Sequence, residues 1–69
     1  MSISAADVAA SIEATAKDIM LATQTYQKAP KGMKLRDNVL IAVEQLIETL
    51  GRDLPILQRK HEEDRNPVA

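Results

Sequence analysis

The sequence predicts an all-α fold: a helical hairpin with a kinked third helical segment, paired into a homodimeric helical bundle. Three observations carry that prediction. Apolar residues recur at helical spacing along Val8, Ile12, Thr15, Ile19, Ala22 and Tyr26, and again along Val39, Val43, Leu46 and Leu50. A short break, Ala29-Pro30-Lys31-Gly32, separates the two stretches. The second stretch also carries a parallel row at Leu40, Ile47 and Leu54, so its apolar face is wider than contact with one neighbour requires.

The first helix has a strong start signal. Ser4 followed by Asp7 fits the capping box, in which the hydroxyl accepts a backbone N–H and the carboxylate reaches back to the cap. Ile3 and Val8 stand where a hydrophobic staple would close around that cap. Alanines at positions 5, 6, 9, 10, 14 and 16 then favour helix at little entropic cost. The helix is predicted over 5–28, a rod of ~36 Å at the standard rise. Its stripe alternates four- and three-residue steps, the spacing of a coiled-coil seam. Every second member is small or modest (Val8, Thr15, Ala22), which lets a neighbour approach closely, while Met20 and Leu21 lie off the seam.

Pro30 cannot continue the helix, because it lacks an N–H and restricts Ala29. Gly32 supplies the freedom for a reversal, so the next helix is an antiparallel neighbour. It is predicted over about 34–50. Within Gly51-Arg52-Asp53-Leu54-Pro55, the proline ring would meet the carbonyl of Gly51, and Asp53 is suited to cap a new helix. The sequence therefore predicts a kink or short break there, a third segment over about 54–64, and a frayed tail over 65–69. All of it belongs to one domain, residues 1–69.

A chain of 69 residues lies near the lower limit for a self-sufficient core. Such chains usually need disulfides, a metal or oligomerisation. The sequence holds no cysteine and a single histidine, which leaves oligomerisation to cover the surplus apolar surface. Val8, Ile12, Ile19, Val39, Val43, Leu46, Ile47 and Leu50 are the expected core and dimer residues.

Composition also bounds location and partners. The absence of cysteine fits a reducing compartment. No stretch approaches the ~20 apolar residues of a membrane span, and Met1-Ser2-Ile3-Ser4 lacks the pattern of a secretory signal, so a cytoplasmic protein is expected. A net charge of −1 gives no global field toward nucleic acid or membrane. Charge is nonetheless unevenly placed: Lys28, Lys31, Lys34 and Arg36 gather at the reversal, and acids flank it through Asp7, Glu13 and Asp18 before and Asp37, Glu44 and Glu48 after.

Residue types suited to catalysis are scarce. His61 sits among Lys60, Glu62, Glu63 and Asp64, neighbours that point in different directions on a helix and do not converge on a metal or substrate. Glu44 and Glu48 share a helix face, but two helices offer no cleft for acid–base work. With Arg52 continuing that row, Glu48 and Arg52 read as a surface salt pair. No serine-nucleophile motif and no glycine-rich phosphate loop is present. The chain is expected to be non-enzymatic, without catalytic residues, cofactor or metal. Tyr26, its only aromatic residue, combines apolar area with a polar tip. It is therefore a candidate partner contact with Lys34 and Arg36, and Glu13, Asp18, Glu44 and Glu48 form a second candidate set.

Two resemblances follow from these residues. A two-helix hairpin that dimerises is similar in outline to the plasmid-copy-number RNA-binding protein Rop, which makes a dimeric RNA- or DNA-binding module the alternative reading, alongside a structural adaptor. The chain from Met1-Ser2-Ile3-Ser4-Ala5, through Tyr26-Gln27-Lys28-Ala29-Pro30, to Asn66-Pro67-Val68-Ala69 resembles the quorum-sensing anti-activators of Mu-like Pseudomonas phages. That second resemblance implies a small helical dimer that binds the DNA-binding domain of a LuxR-type host activator, LasR, and blocks its engagement of promoters. It also implies a second target, the type IV pilus assembly ATPase PilB. No residue role comes with it, because no short motif defines the family.

Overall fold

In the computed structural model, which describes residues 3–65, the chain forms two helices, α1 (Ala5–Lys28) and α2 (Lys34–Arg65). They pack against each other as an antiparallel hairpin, and no strand is present among the described residues. The start of α1 follows from its first residues. The Asp7 backbone N–H donates to Ser4 Oγ at 3.1 Å, and the Ser4 N–H donates to Asp7 Oδ2 at 3.2 Å. Both halves of the capping box are thus closed, and two amides that would otherwise be orphaned at the helix start are satisfied.

The reversal occupies residues 29–33. Ala29 leaves the helix in an extended conformation, its N–H shared between the carbonyls of Thr25 and Tyr26 at 3.0 and 3.2 Å. Gly32 takes a positive φ of 84°, the left-handed region that side chains resist. The Met33 N–H then closes onto the Pro30 carbonyl, and the Arg36 N–H onto that of Met33.

The helices meet along one seam. In α1 the least exposed positions are Ala5, Val8, Ile12, Thr15, Ile19, Ala22 and Tyr26; in α2 they include Arg36, Val39, Val43, Leu46, Leu50, Asp53, Leu57 and Lys60. Both sets alternate steps of three and four, as a coiled-coil seam requires. Seven of the eight expected core residues lie in this seam, and Ile47 does not. Its side chain is 56% exposed, on the parallel row outside the contact. Thr15 is buried without cost to its hydroxyl, which donates to the Ser11 carbonyl at 3.1 Å.

α2 passes through the expected break as one helix, with Pro55 inside it. The separate segment over 54–64 is therefore the second half of α2, and the predicted stop at residue 50 is absent. The physical reason lies four residues upstream of the proline. Gly51 is exposed, so water can take the carbonyl bond that Pro55 cannot make, and a glycine backbone adjusts easily around the ring. Ile56 and Leu57, both half-buried, hold the continuing turns near α1. Residues 66–69, where fraying is expected, lie outside the described residues, as do Met1 and Ser2.

The result is long and thin, 58 × 19 × 14 Å, with a radius of gyration of 16.2 Å. A compact chain of this length would have a radius near ~11 Å. Among the described residues only Val8, Ala29 and Val39 count as buried apolar side chains, and each keeps 6–8% exposure.

Two substitutions test this account by chemical denaturation. Gly32→Ala should lower stability by about 1–2 kcal/mol through backbone strain alone, since an added Cβ would meet nothing within 4 Å. Pro55→Ala should raise stability, by up to about 3 kcal/mol, by restoring the bond to Gly51. A neutral Pro55→Ala would mean that the helix bears no penalty there.

Candidate functional site

The hairpin carries two surface features able to hold a partner: the tip around Tyr26 and an apolar row along α2. At the tip, the last turn of α1 and the first of α2 bring Tyr26 and Arg36 together from ten positions apart. The Arg36 guanidinium carbon lies 4.5 Å from the centroid of the Tyr26 ring, within the range of a cation–π contact. Arg36 Nε also donates to the Ala29 carbonyl at 3.0 Å. One side chain thus stacks on the ring and pins the carbonyl at the exit of α1, so both Tyr26 and Arg36 are half-buried. Lys28, Lys31 and Lys34 stand exposed around this pinned pair.

Tyr26 and Arg36 therefore form one unit, with Lys34 beside it on the exposed turn. Sequence reading singles out both residues but misses their contact. The stack depends on how the two helices register across the turn, and that register is invisible until the hairpin closes. Ala29 is missed in a related way. Spacing places it in the connection, yet its side chain is 6% exposed, beneath the arginine that binds its carbonyl.

The four candidate acids are exposed but do not form one patch. Helical phase puts Glu13 and Glu44 on one flank of the seam, Asp18 on the other, and Glu48 toward the back of α2. Glu48 and Arg52, both exposed, do not close the expected salt pair. Ion pairs form instead near the end of α2, between Lys60 and Glu63 at 3.5 Å and between Arg65 and Glu62 at 4.0 Å. Both are spaced three residues apart on an exposed helix end and add little stability.

The apolar row consists of Leu40, Ile47 and Leu54, spaced seven residues apart and 54%, 56% and 49% exposed. Ile47 and Leu54 border a shallow groove of about 350 Å³, completed by Ile12, Leu50 and Gly51. A second hollow of about 380 Å³ lies across the seam, where Ile3, Asp7, Val8 and Ser11 face Asp53 and Ile56. The staple residues Ile3 and Val8 share this hollow, and its mixed lining sets it apart from the wholly apolar groove. Among the described residues no group of three or more His, Asp or Glu side chains could hold a metal ion. No helix among the described residues is long and apolar enough to cross a membrane.

Arg36→Lys tests the tip. Lysine keeps the charge but loses the planar stack and the fixed Nε–H, and should cost about 1 kcal/mol in urea unfolding. Tyr26 is the only aromatic residue, so its fluorescence should change in the same variant. An unaltered midpoint and spectrum would show that the contact contributes nothing in solution.

No family model, curated protein or solved structure matches the chain.

Proposed function

We propose that this chain is a non-enzymatic, self-associating binding module that inhibits a host protein by covering its surface. The observation that carries the reading is the apolar row on α2, left uncovered by the hairpin. An exposed row of large aliphatic side chains, two of them bordering one apolar groove, marks an interaction surface on a small chain. An elongated two-helix structure whose hollows, one between Ile3 and Ile56 and one between Ile12 and Leu54, are open to solvent supplies long faces for binding partners.

The resemblance to phage anti-activators supplies the partner. The target is the DNA-binding domain of a LuxR-type quorum-sensing activator, and occupying that domain prevents promoter engagement. The pilus assembly ATPase is a second target, and the setting is the cytoplasm of a bacterial host. A DNA-binding surface carries positive charge for phosphates, which acidic side chains attract. Asp18 and Glu48 are exposed on faces away from the apolar row, so they remain available for this role when the row is covered. The pinned Tyr26–Arg36 tip, with Lys34 beside it, forms a separate contact for an acidic surface.

A promoter-release assay tests the reading. The purified chain should displace a LuxR-type activator from a labelled promoter fragment. Asp18→Lys together with Glu48→Lys should slow association about tenfold and weaken its dependence on salt. Continued promoter binding in the presence of a large excess of folded chain would remove this function. A direct shift of RNA or DNA by the chain alone, steeply weakened by salt, would favour the nucleic-acid alternative.

A further inference from the structure

We infer that the Leu40–Ile47–Leu54 row is the self-docking surface, and that two copies pair on it antiparallel about a two-fold axis passing near Ile47. This rests on the self-association proposed above and specifies its face and direction.

Surface area argues for the occupant. The chain exposes 5548 Å², whereas a compact monomer of its mass would expose ~4,300 Å². The excess, roughly 1,200 Å² per chain, exceeds the ~800 Å² that each partner buries in a standard interface. It falls within the range of obligate homodimers. A second copy on one long face would remove it.

Helical phase selects the face. The row on α2 borders the groove that also contains Ile12 of α1. On the same flank of α1, three residues before and four after Ile12, stand Ala9 and Ala16, both exposed. Large side chains on one helix thus lie beside small ones on the other, a relief that a rotated copy can interdigitate with. The opposite flank carries Ser11 and Asp18 on α1 and Leu35 on α2, and the exposed Leu21 and Ile41 face away on separate helices, so none of them adds to a second row at heptad spacing.

Charge at the tip selects the direction. Ile47 lies midway between Leu40 and Leu54, so an antiparallel two-fold at Ile47 sets Ile47 against its own copy and Leu40 against Leu54 of the other chain. Extended by further heptads, the same axis sets Met33, 48% exposed, against the exposed His61. It also lays the end of α2, where Arg59, Lys60 and Arg65 balance Glu62, Glu63 and Asp64, beside the other copy's Lys31 and Lys34 in place of a second basic tip. That end has little of its own chain to rest on. α2 has 32 residues and α1 has 24, so eight residues, ~12 Å of helix, overhang the hairpin. A parallel pair would instead set the two basic tips, each with Lys28, Lys31 and Lys34, side by side with like charges opposed.

The absence of native cysteine makes single-cysteine cross-linking a clean test. With a short bis-maleimide, Ile47→Cys should form a covalent dimer, and a mixture of Leu40→Cys and Leu54→Cys chains should cross-link to each other. Neither Leu40→Cys nor Leu54→Cys alone should do so. Sedimentation of Ile47→Glu, with helicity checked by circular dichroism, should show dissociation strengthened at least ~100-fold. Self-linking of Leu40→Cys without mixed product would overturn the antiparallel pairing. A dimer that tolerates Ile47→Glu and leaves Ile47→Cys unlinked would overturn the face. A native chain that sediments as a folded monomer at tens of micromolar would remove self-association itself.

Discussion

Two helices lying side by side can shelter only the seam between them, and every other feature of this molecule follows from that constraint. An α-helix devotes about two positions in seven to such a seam. With only two helices there is no third neighbour to cover the flanks. Even the seam stays shallow: Thr15 and Val39 are buried, while Ile12, Ile19, Val43, Leu46 and Leu50 keep partial access to water. The hairpin consequently depends on local devices to a greater degree than a larger domain. The closed capping box at Ser4, the alanine-rich start of α1 and the left-handed Gly32 each reduce the entropy or strain that so thin a core would otherwise have to offset.

The same constraint explains why the tip is built as it is. A reversal of five residues between long helices is a lever, and small changes in it would shift the register of the entire seam. Arg36 limits that freedom by stacking on Tyr26 and binding the Ala29 carbonyl at once. Its aliphatic stem lies at a seam position, so the side chain both extends the core and carries charge to its rim. The three lysines around it remain in water and give the tip its basic character.

Much of this was legible in the sequence because it is local. The Ser4–Asp7 box, the α1 limits at Ala5 and Lys28, the Pro30–Gly32 reversal and the start of α2 all depend on residues within one or two turns of each other. As a sign of a break, Pro55 was misleading for the opposite reason. Its local penalty is genuine, but its weight depends on whether Gly51 faces water and whether Ile56 and Leu57 pack, and both are set by the partner helix. Ile47 shows the same limit. Spacing marks it as apolar and helical, yet only the rotation of α2 about its axis separates the seam at Leu46 and Leu50 from the exposed row at Ile47. The candidate acids were individually legible as exposed, but their scatter over different faces required that rotation too.

The constraint finally bears on how one short chain could bind itself and something else. Covering the aliphatic row uses one flank of the seam, because large side chains at heptad intervals run straight along the rod. Charge is then left where the row is absent: basic at the tip, acidic at Asp18 and Glu48. The basic tip and Asp18 thus lie apart from the aliphatic row, whereas Glu13 and Glu44 border it and the 55% exposed Ile41 shares the face of Glu48. A rod organised in this way can spend its apolar surface on persistence as a folded object and keep its charged faces for recognition. Such faces favour fast, salt-sensitive encounter over deep burial. Under the function proposed above, that is the behaviour required of an inhibitor that must reach a DNA-binding domain before DNA does.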